Sequence, residues 1–129
     1  METVSYTHLR AHETGRKGGD YLAYVIAIEE ISKYCASITS GIAAHSSLAT
    51  WPIYQFGTEE QKMRFLPELL SGRAWGAMGL TEPGAGSDAA MQQTKAYLDG
   101  DHYVVNGRKC FITNAGEAKY YTTVVMTDK

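Results

Sequence analysis

The stretch Met78-Gly-Leu-Thr-Glu-Pro-Gly-Ala-Gly-Ser87, together with Cys110-Phe-Ile-Thr-Asn114, decides how this 129-residue chain is organised. Apolar residues lead into the first stretch, but the polar residues and the proline after Leu80 do not extend a buried strand well. Gly84 and Gly86 predict a backbone that takes positive φ and comes close to a ligand. The first stretch is therefore predicted to be a binding loop.

The glycine spacing of this loop superficially fits the fingerprint of dinucleotide-binding folds, in which a glycine-rich turn joins a strand to a helix. That fingerprint requires a helix after the loop, whereas the chain continues with β-type runs at 94–99, 102–105 and 108–113. The runs are separated by Gly100-Asp101 and Asn106-Gly107, which are hairpin signals. The loop is therefore predicted to open an antiparallel meander. This excludes a Rossmann fold, and the lack of a Gly-Lys-Ser/Thr sequence excludes a P-loop.

The charge, the length of the apolar runs and the cysteine positions indicate which classes of protein this chain can belong to. The formal charge is −2 and 44% of the residues are hydrophobic, which gives no indication of a nucleic-acid partner or an anionic membrane partner. No apolar run approaches the roughly 18–20 residues of a membrane helix, and the start lacks a signal-peptide pattern. Cys35 and Cys110 lie far apart within apolar stretches, which favours free buried thiols over a disulfide. A cytoplasmic protein is expected.

The first 17 residues are interpreted as a non-native or disordered tail. Residues 4–14, Val-Ser-Tyr-Thr-His-Leu-Arg-Ala-His-Glu-Thr, resemble one reading frame of a transposase adapter, and such segments are left out of fold reasoning. His8 and His12 have the i, i+4 spacing of a metal pair, but a non-native tail is favoured and no metal site is predicted.

Amphipathic helices are predicted between residue 20 and residue 72. Apolar residues from Tyr21 onward recur at spacings of three and four, which indicates a helix with one broad buried face, capped by Asp20. A second helix, rich in small residues, is predicted over 37–50, and residues 51–56 are predicted to form a short turn. Thr58-Glu-Glu-Gln61 predicts a capping box at the start of a further helix.

After Arg73 the apolar period changes to two, and β-type runs extend to residues 120–126. The expected fold is an α+β fragment: an N-terminal α-helical segment followed by the first antiparallel strands of a β domain.

Several motifs, taken in order, resemble the acyl-CoA dehydrogenases, with wording closest to short-chain, butyryl-CoA-type enzymes. The resemblance covers residues 18–129. It is carried by Asp20-Tyr-Leu-Ala-Tyr-Val-Ile-Ala-Ile-Glu-Glu30, Ala44-His-Ser-Ser-Leu48, Gly57-Thr-Glu-Glu-Gln-Lys62, Gly79-Leu-Thr-Glu-Pro-Gly-Ala-Gly-Ser-Asp88, Gly100-Asp-His-Tyr-Val-Val-Asn-Gly107 and Phe111-Ile-Thr-Asn114.

The family's architecture implies an N-terminal helical domain, a middle β-barrel domain and a C-terminal helical bundle. This chain is expected to be a fragment in which residues 18–73 form part of the first domain and residues 74–129 part of the second. The C-terminal helical domain is expected to be absent.

The resemblance implies that FAD is the cofactor and that two segments bind it. In the first segment, Leu80 would lie against the flavin ring, Thr81 would bond its pyrimidine edge, and Ser87 would contact both FAD and the acyl-CoA. In the second, Phe111 would pack on one face and Thr113 would approach N5. The implied cofactor-binding residues are Met78, Gly79, Leu80, Thr81, Gly86, Ser87, Phe111, Ile112 and Thr113. Many family members have Trp where Phe111 stands; Phe keeps the packing surface but lacks the indole N–H.

The implied reaction is α,β-dehydrogenation of an acyl-CoA thioester by proton abstraction and hydride transfer. The implied partners are the acyl-CoA, an electron-transferring flavoprotein as electron acceptor, and further copies of the chain in a homo-oligomer. No residue here matches the family's catalytic base, so no catalytic residue is assigned, and Glu82 is interpreted as part of the loop.

Two alternatives remain open at this stage: a flavin-binding or interaction module without dehydrogenase activity, and a relative of the acyl-CoA oxidases. His45 is interpreted as a core or interface histidine in preference to a wall of the acyl pocket, and His102 as a solvated turn residue.

Overall fold

The structure is a computed structural model that describes residues 21–127. Helices occupy the first half and strands the second, so the predicted α+β order is confirmed. The predictions made for residues 1–17 and for the Asp20 cap lie outside the described residues. The helices are α1 (Tyr21–Ser32), α2 (Ala36–Ala43), a π-helix (Ala44–Thr50), α3 (Trp51–Phe56) and α4 (Glu59–Leu70). The strands are β1 (Trp75–Gly79), β2 (Lys95–Asp99), β3 (His102–Asn106) and β4 (Ala118–Thr123), and a short 3₁₀-helix (Ala89–Met91) lies between β1 and β2.

Helix α1 does not bury the broad face predicted for it. None of its residues is buried, and Leu22, Val25 and Ile26 are exposed. The helix packs on α2, and contact with so short a neighbour leaves most of a largely apolar surface uncovered. The expectation of a buried face was therefore wrong for this part of the chain.

The π-helix is stabilised by hydroxyl groups that reach its backbone carbonyls. The Thr50 hydroxyl donates to the His45 carbonyl at 2.7 Å, and the Thr122 hydroxyl from β4 donates to the Ala49 carbonyl at 2.7 Å. The helical path continues without a break into α3, where residues 51–56 were predicted to be a turn. Pro52 is the second residue of α3 and has no amide hydrogen to bond to the preceding turn.

The capping box that begins α4 is confirmed. The Gln61 amide donates to the Thr58 hydroxyl at 3.2 Å, and the Thr58 amide donates to the Gln61 side chain at 2.9 Å. The helix runs through Pro67 to Leu70, and Leu66 and Leu69 are among the most deeply buried side chains.

The strands of residues 21–127 form two two-stranded sheets. Strands β2 and β3 are antiparallel and turn at Gly100, as predicted. Strands β1 and β4 are parallel, which differs from the predicted antiparallel meander. The segment after β4 continues beside β2, where the Ala96 amide donates to the Met126 carbonyl at 2.9 Å and the Met126 amide to the Thr94 carbonyl at 2.9 Å.

Residues 108–113 do not form the predicted strand, and Asn106-Gly107 is not a hairpin turn. Phe111 and Asn114 have φ values of 55° and 68°, which a strand does not accommodate. Gly107 instead permits close packing: an added Cβ would lie 2.6 Å from the Thr94 Cα. The chain therefore leaves β3 along an irregular path.

Candidate functional site

The first candidate segment, residues 80–88, is called the glycine loop below. It closes on itself through a pair of backbone hydrogen bonds between Glu82 and Ala85, at 3.0 and 3.1 Å. Gly84 and Gly86 do not have the positive φ that was predicted for them. An added Cβ at either glycine would meet no atom within 4 Å, so these glycines leave the backbone open to approach from outside.

The second candidate segment, residues 109–114, is called the aromatic segment. Phe111 is 92% exposed and has a left-handed backbone with a φ of 55°. This conformation costs an ordinary residue about 1–2 kcal/mol, so it persists only where surrounding contacts enforce it. The segment therefore presents an aromatic ring to the outside on a strained backbone.

Three direct hydrogen bonds hold the glycine loop against the aromatic segment. The Cys110 amide donates to the Thr81 carbonyl at 2.9 Å. The Lys109 ammonium donates to the Leu80 carbonyl at 2.9 Å and to the Glu82 carboxylate at 2.8 Å. The structure therefore brings together the two segments that the sequence predicted to share a site.

Glu82 is a structural anion. Its carboxylate accepts from Lys109 and from the amides of Gln93, at 2.6 Å, and Thr94, at 2.9 Å. The Lys109 ammonium, followed by the other hydrogen-bond donors around the carboxylate, lowers the pKa of Glu82 from 4.5 to about 2. A carboxylate that accepts three hydrogen bonds and has so low a pKa is ionised and is a weak base, which agrees with its interpretation as part of the loop.

Strand β1, which leads into the glycine loop, is held by two side chains from outside the sheet. The Gly76 amide donates to His45 Nδ1 at 2.9 Å, so Nε2 carries the proton and donates to the Leu69 carbonyl at 3.1 Å. Burial lowers the pKa of His45, which keeps the ring in this neutral form. The Asn114 amide donates to the carbonyls of Gly41, at 3.0 Å, and Gly76, at 3.3 Å.

The nine residues predicted to bind the cofactor divide by exposure. One group is buried or half-buried, and the other is exposed. Gly79 is buried, Met78, Leu80, Thr81 and Ile112 are half-buried, and Gly86, Ser87, Phe111 and Thr113 are exposed.

Sequence reasoning did not single out Lys109 and Asn114 as residues that organise this site. It also did not predict that Glu82 would hold the loop through its ion pair with Lys109. A signal was available for Lys109, because it is a charged residue directly before the apolar pair of Cys110 and Phe111. Asn is the residue other than Gly that most readily adopts a left-handed conformation, which was a weaker signal for Asn114.

The exposed groups fit a flat, partly apolar ring with a polar rim. Such a ring requires an aromatic or apolar wall and short hydroxyl partners placed by ordered backbone. Among the exposed groups, Phe111 presents an aromatic face, Thr113 and Ser87 carry hydroxyls, and the backbone at Gly86 is open.

A separate cavity of about 400 Å³ lies between α3, α4 and β4. It is lined by aromatic and apolar side chains that include Phe56, Phe65 and Tyr120, and no lining residue belongs to the glycine loop or the aromatic segment.

Within residues 21–127, no helix is long and apolar enough to cross a bilayer. Cys35 and Cys110 are both free, and each is half-buried, less than was predicted.

Comparison with known proteins gives two family matches in the predicted order. A profile described as "Acyl-CoA dehydrogenase, N-terminal domain" matches residues 8–73, and one described as "Acyl-CoA dehydrogenase, middle domain" matches residues 77–129. The short-chain-specific acyl-CoA dehydrogenase of Clostridium acetobutylicum is 51% identical over 117 residues, which are 91% of this chain and 31% of that protein.

Solved structures agree with these matches. The butyryl-CoA dehydrogenase of Megasphaera elsdenii superposes with a TM-score of 0.86 at 46% identity, covering 98% of this chain and 34% of that one. An acyl-CoA dehydrogenase of Bacillus anthracis, solved in complex with FAD, superposes with a TM-score of 0.81 at 35% identity, covering 95% of this chain and 22% of that one. This chain therefore spans about a third or less of these relatives, and within that span the motifs, the fold and the profiles all agree: it belongs to the acyl-CoA dehydrogenase family.

Proposed function

We propose that the protein to which this chain belongs is an FAD-dependent dehydrogenase of short-chain acyl-CoA thioesters. The observation that carries the proposal is that hydrogen bonds hold the glycine loop against the aromatic segment, with the exposed Phe111 ring beside them. The named relatives are acyl-CoA dehydrogenases, and one of them was solved with FAD. These relationships support the same assignment.

The roles proposed within this chain are those of binding. Leu80 and Phe111 offer apolar surface to the flavin, while the hydroxyls of Thr81 and Thr113 bond its polar rim. Ser87 is the proposed contact shared by cofactor and acyl-CoA. Met78, Gly79, Gly86 and Ile112 complete the proposed set.

FAD supplies the hydride acceptor for oxidation of the acyl chain when it is bound. The residues of this chain would position it and shield one face from water. We assign the proton-abstracting base to none of them. Accordingly, we expect the 129-residue chain alone to leave butyryl-CoA unchanged and to bind FAD weakly or not at all.

The whole protein is proposed to consist of a helical domain over 18–73, a middle β domain over 74–129 and a further helical domain. We propose that it acts as a cytoplasmic homo-oligomer in β-oxidation and passes electrons to an electron-transferring flavoprotein. The sequence resemblance supports these assignments.

The decisive experiment uses the product of the reading frame extended past Lys129. We expect it to purify with flavin absorbance and to convert butyryl-CoA to the 2-enoyl thioester when an artificial electron acceptor is present. Rapid turnover with oxygen and formation of peroxide would favour the oxidase alternative. Bound flavin with no turnover of acyl-CoA thioesters of any chain length would favour the binding-module alternative.

A further inference from the structure

Lys109 is the most highly connected cation in the described part of the chain. An ammonium group has three hydrogen-bond donors, and three acceptors surround this one. They are the Leu80 carbonyl at 2.9 Å, the Glu82 carboxylate at 2.8 Å and the Gln92 side-chain oxygen at 2.9 Å. The Lys109 and Glu82 side chains are only 8% and 7% exposed, so water cannot readily substitute for these bonds.

The three acceptors lie on separate parts of the site. Leu80 and Glu82 belong to the glycine loop, and Gln92 precedes β2, while Lys109 itself begins the aromatic segment. The lysine stem passes over the end of β1, since an added Cβ at Gly79 would lie 3.4 Å from the Lys109 Cγ. One side chain therefore links the end of β1, the glycine loop and the segment before β2 to the aromatic segment.

Stability alone is a poor explanation for this arrangement. Desolvating a buried ion pair costs about as much as its attraction returns, and apolar replacements of similar volume are often neutral or stabilising. An apolar pair would not, however, donate hydrogen bonds to the Leu80 carbonyl and the Gln92 side-chain oxygen. What the ion pair adds is defined geometry at Leu80 and Glu82, the residues on either side of Thr81.

We propose that Lys109 is a positioning residue that sets the spacing between the glycine loop and the aromatic segment, and through it the width of the flavin cleft. This inference rests on the proposed function, because it concerns how the same site is held ready for FAD. Lys109 acts through Leu80 and Glu82, and it need not touch the cofactor.

The test compares Lys109→Met with Lys119→Met. Lys119 also pairs with a glutamate, Glu68, at 2.6 Å, but the two side chains are 56% and 36% exposed. We expect Lys109→Met to weaken FAD binding by the extended protein about tenfold or more, because bonds to a charged group are lost. Lys119→Met is expected to stay within about threefold of the parent, as surface ion pairs contribute little.

Two further variants separate geometry from charge and from folding. Lys109→Arg keeps the charge, but a planar guanidinium does not direct one donor at each of these three acceptors; we expect weaker FAD binding and a shifted flavin absorption band. The double variant Glu82→Gln with Lys109→Met leaves no buried unpaired charge. If the single variant does not fold, the flavin affinity of the double variant is compared with that of the parent.

A second readout does not depend on flavin. Hydrogen exchange at the Cys110 amide, which bonds the Thr81 carbonyl, is expected to accelerate about tenfold in Lys109→Met and to be unchanged in Lys119→Met. Unchanged exchange, or FAD affinity within twofold of the parent, would overturn the positioning role. Failure of the parent to bind FAD would refute the proposed function instead, and the exchange comparison would still decide this inference.

Discussion

The glycine loop and the aromatic segment lie side by side, yet their backbones reverse the usual relation between residue type and conformation. Gly84 and Gly86 have φ values outside the left-handed region, while Phe111 and Asn114 are within it. The loop glycines therefore serve to keep space open above the backbone. The left-handed residues of the aromatic segment serve to aim side chains, with Phe111 directed outward and Asn114 directed into the scaffold.

The largest effect that separates the two regions is expected from acid. The pKa of Glu82 is lowered from 4.5 to about 2, so the unfolded chain binds a proton before the folded chain does. The stabilisation is therefore complete above about pH 4.5 and is lost as pH falls toward 2. We expect denaturant titrations to show a lower free energy of unfolding as pH falls. Hydrogen exchange at the Cys110 amide is the second measurement of the same loss.

Glu82→Gln is expected to remove most of that acid dependence, whereas Glu68→Gln, at an exposed pair, is the matched control and should remove little. His45 contributes a separate loss that begins as pH falls below 6.5, because its pKa is also lowered. Equal acid dependence in Glu82→Gln and Glu68→Gln would contradict the anchoring role of Glu82.

The next largest effect is expected at Asn114. Asn114→Ala loses two side-chain hydrogen bonds and places a Cβ-bearing residue that disfavours the left-handed region at a φ of 68°. We expect the free energy of unfolding to fall by about 3 kcal/mol. Asn114→Gly loses the same bonds but tolerates the backbone, so its loss should be about 1 kcal/mol smaller. Identical losses in urea titrations would show that backbone strain is not part of the cost.

A smaller effect of opposite sign is expected at Phe111. Phe111→Asn retains a residue that tolerates a φ of 55°, so unfolding should become about 1 kcal/mol more costly while FAD binding weakens. Phe111→Leu keeps the strain but loses the ring; its stability should match the parent, and its FAD affinity should fall. A Phe111→Asn chain no more stable than the parent would mean that this backbone is not strained.

The smallest effect is expected at Gly86. Gly86→Ala meets no atom within 4 Å and has no left-handed φ, so the free energy of unfolding should rise by no more than about 1 kcal/mol. Gly107→Ala is the contrasting control, because its Cβ would lie 2.6 Å from the Thr94 Cα; a loss of about 1–3 kcal/mol is expected. A large loss at Gly86 in thermal unfolding would show that the loop glycine has a conformational role after all.

The features that the sequence determined by itself are those that depend on neighbours along the chain. The Thr58 capping box joins residues three apart, the β2–β3 turn at Gly100 joins adjacent strands, and the change from helical to strand period needs only a short window. Local propensity and turn chemistry decide such features. The family motifs also predicted that the two segments share a cleft, and that the cleft binds a flavin stays a prediction.

Tertiary structure decided the features that depend on partners distant in sequence. Lys109 binds Leu80 across 29 positions, and Asn114 binds Gly41 across 73. These contacts accompany an irregular path through residues 108–113 where local pattern indicated a strand. The parallel pairing of β1 with β4 could likewise not be predicted from the alternation of apolar and polar residues, because the same alternation fits a parallel or an antiparallel strand. Pattern specifies which face of a segment is apolar, but only packing specifies what meets that face and at what backbone cost.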